Sequence, residues 1–70
     1  MMPLTMAEIG ETNSIKRITG KDEVRRHLES LGFVAGEPVT VISKLAGNTI
    51  LQIKDSRVAL DKIMASRIMV

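Results

Sequence analysis

The stretch Leu28-Glu29-Ser30-Leu31-Gly32-Phe33-Val34-Ala35-Gly36-Glu37-Pro38-Val39 contains the point where the apolar period changes from helical to extended. Upstream, Val24, Leu28 and Leu31 stand at i, i+4 and i+7, the stripe by which an amphipathic helix meets a core. The spacing predicts a helix over Lys21–Leu31. Asp22 and Glu23 lie in its first turn, where the helix dipole favours negative charge. Gly32 is placed to leave the helix in a left-handed conformation. Phe33 would then follow it and pack on Leu28, as in a Schellman motif.

Downstream the period is two. Gly36-Glu37-Pro38 turns the chain, and Pro38 is acceptable as the first residue of a strand. Val39 and Val41 alternate with Thr40, and Leu45 is expected to continue their face after Ser43. Gly47-Asn48 reads as a two-residue hairpin. Its partner strand runs from Thr49 to Lys54, with Leu51 and Ile53 on one side and Gln52 and Lys54 on the other. Asp55-Ser56 turns again into Arg57–Leu60, Asp61 caps a short turn through Ile63 and Met64, and Arg67–Val70 forms a last strand. Ahead of the helix, Leu4–Gly10 reads as one helical turn. Thr5 and Glu8 have capping-box spacing, Leu4 and Ile9 can staple, and Gly10 supplies the exit. Ser14–Ile18 fits a first strand ending at Thr19-Gly20. Five short strands and one helix predict an all-β fold with one covering helix near 21–31. Closure into a small SH3-like barrel would remove exposed edges.

Seventy residues allow one small domain, spanning 1–70, with a thin core. Ten basic and eight acidic side chains give a net charge of +2 without a contiguous basic run, so binding to nucleic acid is not compelled. No apolar run exceeds three residues, which predicts neither a transmembrane helix nor a signal-peptide core and points to the cytoplasm. The absence of cysteine excludes disulfides, a thiolate metal site and a thiol nucleophile. Phe33 is the one aromatic, so a stacking platform for single strands or proline-rich peptides is missing.

The chemistry-bearing residues are sparse. No Ser or Asp stands in a triad context, and Asp22, Glu23 and Glu29 read as the solvated face of the helix, with Asp22 and Arg26 paired at i, i+4. The five glycines each have a turn or cap explanation and form no phosphate loop. His27 with Glu23 offers two metal ligands at helical spacing, too few for a tight site, although a dimer could bring two such pairs around a transition metal. Arg17, Arg25, Arg26, Arg57 and Arg67 could track phosphates, and the interleaved acids argue against it. What remains is a surface for a protein partner. Opposite the apolar stripe the helix carries Asp22, Arg26, Glu29 and Ser30, with Arg25 at the side. The Ser43–Asn48 hairpin end, with Lys44 exposed and Asn48 at its turn, is the second surface.

The Leu4…Gly10 entry, the string Leu28 to Val39 and the ending Val58-Ala59-Leu60…Ala65…Ile68-Met69-Val70 resemble the FeoA family, over the whole chain. The resemblance implies an SH3-like barrel acting as a non-enzymatic accessory or regulatory protein of bacterial ferrous iron transport. Its implied partner is the cytoplasmic GTPase portion of a FeoB-type membrane iron permease, which places the protein at the inner face of the membrane without insertion. It implies no cofactor beyond the iron handled by the transport system, while the residues themselves argue against a nucleic-acid partner and leave room for a weak homodimer. The same barrel occurs as the C-terminal domain of iron-dependent repressors. An isolated regulatory domain of that kind, or a small nucleic-acid-binding barrel, is therefore the alternative. An arginine supplied in trans to a GTPase would stabilise transition-state charge, and the sequence does not choose among the five.

Overall fold

A computed structural model describes residues 1–70. A 3-10 turn at Leu4–Met6 opens the chain, followed by β1 (Thr12–Ser14), β2 (Arg17–Ile18), α1 (Asp22–Ser30), β3 (Pro38–Leu45), β4 (Asn48–Ile53), β5 (Ser56–Asp61), α2 (Lys62–Ala65) and β6 (Ile68–Met69). Strands β1, β3, β4 and β5 form one antiparallel sheet in the order β1-β3-β4-β5, and β2 pairs with β6 in a second.

The helix ends as its sequence dictates. Lys21 and Leu31 are its caps. Gly32 takes φ +104°, its N–H donates to the Glu29 carbonyl at 3.0 Å, and the Phe33 N–H donates to the Leu28 carbonyl at 3.1 Å. These are the two bonds of a Schellman motif. They turn Phe33 inward, where it and Leu28 are both fully buried. Leu4, Ile15, Val39, Val41, Leu51, Ile53 and Ile68 complete the centre of the core, and Val24 and Leu31 pack partly buried against it. Each such side chain contributes about 1.5–3 kcal/mol of transfer free energy when fully buried.

The expected single strand over Ser14–Ile18 is instead a corner. Ile15 bonds to the first sheet, its N–H donating to the Glu37 carbonyl at 2.9 Å, while the Lys16 N–H donates to the Met69 carbonyl at 2.7 Å in the second. Ile15 is buried at 2 % exposure and anchors the bend. A five-strand barrel thus becomes six segments, because one strand serves both sheets. The chain ends meet as well: Met2 and Val70 exchange both backbone bonds at 2.8 Å.

Several local expectations are corrected. The 3-10 turn starts on Pro3 with no side-chain cap, and Ile9 is 60 % exposed, so neither the Thr5–Glu8 box nor the Leu4–Ile9 staple forms. The hairpin turn is Ala46-Gly47, both at positive φ (+51° and +83°), with Leu45 opposite Asn48. The next turn likewise sits one residue earlier, at Lys54-Asp55, with Ile53 opposite Ser56. In β3 the register slips between Val41 and Ser43, so the period-two face is interrupted and Leu45 ends 72 % exposed. The Asp61 cap holds: its carboxylate accepts from the Met64 N–H at 2.7 Å. No helix is long and apolar enough to cross a membrane.

Candidate functional site

Folding brings the N-terminal half of the chain around one opening. β2 leaves the corner beside α1, and the loop after the Schellman turn passes the same place. Between them lies an open cleft of about 290 Å³ lined by Arg17, Ile18, Arg25, Glu29 and Ala35. Arg25 and Glu29 are one helical turn apart on α1, so they face the cleft together. Arg17 enters from β2 and Ala35 from the loop after the Schellman turn. No sequence period links them to the helix.

The charges around this opening are incompletely paired. Arg25 Nη2 meets Asp22 Oδ1 at 2.8 Å, at i, i+3 rather than in the expected Asp22–Arg26 pair. Arg17, Arg26 and Glu29 have no ion-pair partner, since the other ion pair is a long one, Lys54 to Glu37 at 3.9 Å. Guanidinium groups left in this state can take a carboxylate or phosphate in bidentate fashion. Ser30 has turned its hydroxyl back on the helix, donating to the His27 carbonyl at 2.6 Å. Arg26, Glu29 and Ser30 are all exposed, as are Glu23 and His27. His27 and Glu23 acquire no third ligand: no group of three or more His, Asp or Glu side chains is assembled anywhere in the chain.

Lys44 and Asn48 lie elsewhere, at the hairpin end. The Lys44 Nζ donates to the carbonyl oxygens of Thr5 and Ala7 at 3.1 and 3.0 Å, which ties the hairpin to the 3-10 turn. The Lys62 N–H donates to the Gly47 carbonyl at 3.1 Å and ties α2 to the same end. Leu45, Met6 and Ile63, on these three linked segments, are 72 %, 68 % and 69 % exposed. Asn48 is exposed at the start of β4. Glu11 is held below the usual carboxylate range, first by the Asn13 side-chain amide at 2.7 Å and then by the Glu8 backbone N–H at 3.2 Å.

With this geometry in hand, comparison with known proteins gives a consistent result. The family model of the FeoA domain matches residues 2–70. Among solved structures, an iron uptake regulatory protein (FeoA) is 27 % identical, with a TM-score of 0.88 over 96 % of this chain and 89 % of that one. FeoA of Stenotrophomonas maltophilia, solved with zinc and described as a prokaryotic SH3 domain protein proposed to activate ferrous iron transport, is 25 % identical. Its TM-score is 0.86, over 99 % of this chain and 88 % of that one. A manganese-dependent transcriptional repressor is 23 % identical with a TM-score of 0.86, over 94 % of this chain and 38 % of the repressor, a likeness of fold alone. Nothing matches among the curated proteins.

Proposed function

The chain belongs to the FeoA domain family and has its SH3-like fold, and on that premise we propose that it is a non-enzymatic accessory protein of ferrous iron transport. It acts in the cytoplasm by docking on the GTPase portion of a FeoB-type membrane permease. The observation that carries the docking face is the cleft between β2 and α1, where Arg17 and Arg25 converge beside Glu29. Arg26 and Ser30 extend that face along the helix. None of these side chains is used by the core, and the unpaired guanidinium groups suit acidic side chains on a partner. Metal and nucleotide chemistry stay with the permease in this reading.

The test is the double variant Arg25→Glu, Arg26→Glu. Exposed substitutions change stability by less than about 0.5 kcal/mol each, so the variant should fold. Placing carboxylates on this face should abolish capture of the permease and fail to restore ferrous iron uptake in cells lacking the wild-type protein. A folded double variant that restores full uptake rules the face out and turns attention to the hairpin end, where Leu45, Met6 and Ile63 stand exposed. A second reading, an isolated regulatory domain, is favoured by the likeness to the manganese-dependent repressor. Metal-dependent association with a DNA-bound protein, with no effect on uptake, would support it instead.

A further inference from the structure

β5 is an edge of the four-stranded sheet, and its outer rim is open. Ile53 opposite Ser56 closes the Lys54-Asp55 turn, so Ser56, Val58 and Leu60 spend their backbone groups on β4. The parity continues into Lys62, whose N–H bonds back to Gly47. Arg57 and Ala59 therefore point their N–H and C=O groups away from the sheet, and no backbone or side-chain bond within the chain takes them up. Arg57, Ala59 and Asp61 are exposed. Such a rim is a template for another strand.

The side chains along this rim select the strand. Arg57 and Asp61 lie two residues either side of Ala59. In an antiparallel pairing of β5 with itself centred on Ala59, Arg57 of one copy falls directly opposite Asp61 of the other, and the reverse pair follows by the two-fold axis. A small side chain then occupies the axis. On the inner side, half-buried Val58 falls opposite Leu60 of the second copy. Existing bonds permit it. The Arg57 Nε donates to Gln52 Oε1 at 3.2 Å, leaving the two terminal nitrogens free, and Asp61 uses one carboxylate oxygen on Met64, leaving the other. We propose that β5 is a self-association edge, on which a second copy of this chain adds its own β5 antiparallel about Ala59, locked by reciprocal Arg57–Asp61 pairs. None of the residues that line the cleft is among those invoked for the dimer, so it does not need the docking described above.

Sedimentation equilibrium from about 10 µM to about 1 mM tests the proposal. The wild type should show a reversible monomer–dimer equilibrium that weakens with added salt. Arg57→Asp should weaken it at least about tenfold by setting like charges face to face. Ala59→Pro should do the same, because it removes an N–H that β4 does not use. Circular dichroism should show both variants folded; if Ala59→Pro unfolds, Arg57→Asp carries the test. The chain has no cysteine, which makes a direct probe available. The Cα atoms of paired Ala59 residues would lie about 5.5 Å apart, within disulfide range. Ala59→Cys should therefore form a linked dimer with oxidised glutathione while the exposed control Lys16→Cys should not. A wild type that stays monomeric throughout, a dimer unaffected by Arg57→Asp, or an Ala59→Cys variant that cross-links no faster than the control overturns the proposal.

Discussion

The backbone N–H of Phe33 donates to the carbonyl of Leu28 at 3.1 Å, and both side chains are fully buried. Together with the Gly32–Glu29 bond it ends the helix, reverses the chain and places the protein's single aromatic ring in the core. Leu28→Ala would leave a cavity beneath this junction and should cost roughly 2–5 kcal/mol. Urea unfolding measures it. A midpoint close to wild type would mean that the helix does not hold its end through Leu28.

The hairpin turn carries an avoidable strain. Ala46 sits at φ +51°, a region in which a Cβ is disfavoured. Ala46→Gly should stabilise the fold by about 0.5–1 kcal/mol and raise Tm by a few degrees. Thermal melting decides it, and no gain would show that the turn relaxes its strain in solution.

Lys44 is tied to the Thr5 and Ala7 carbonyls. Lys44→Met keeps the aliphatic stem and removes both bonds, at an expected cost of about 1 kcal/mol. Hydrogen exchange at Ala7, whose N–H bonds to Leu4, should quicken with it. Unchanged exchange would show that the amine does not hold the 3-10 turn.

Glu11 titrates below the usual carboxylate range, chiefly through the Asn13 amide and then through the Glu8 N–H. A carboxyl depressed in the folded state adds stability above its unfolded pKa and loses that contribution as pH falls through the folded value. Asn13→Ala should move the Glu11 titration upward, toward the ordinary value, as followed by its carboxyl carbon shift in NMR. A Glu11 titration unmoved by Asn13→Ala would place the cause elsewhere.

Metal binding by the isolated chain should be weak. His27 and Glu23 stand on an exposed helix without a third ligand. Anaerobic titration with ferrous iron should show no one-to-one site tighter than about 10 µM. A tight site lost in His27→Ala would move the function toward iron delivery.

Elements written in neighbouring residues were legible before folding was considered: the helix from its stripe, its end from Gly32-Phe33, the α2 cap from Asp61, and the inward faces of β3 and β4 from alternation. These depend on interactions across a few residues, so their chemistry lies in local order. The turns at Ala46-Gly47 and Lys54-Asp55 were displaced by one residue, because strand pairing outweighed the preference of Asn48 and Ser56 for turns. The same competition left Leu45 in solvent after the slip in β3.

The candidate site divides along the same line. Arg25, Arg26, Glu29 and Ser30 were readable as one helix face because a helix brings residues three and four apart together. Arg17 joins Arg25 only because Ile15 and Lys16 bond to different sheets and swing β2 beside the helix. The open rim of β5 likewise exists only after the order β1-β3-β4-β5 has been settled. Which faces meet and which edges stay unpaired follows from long-range backbone bonds between strands, and no periodicity within a single segment encodes those partners.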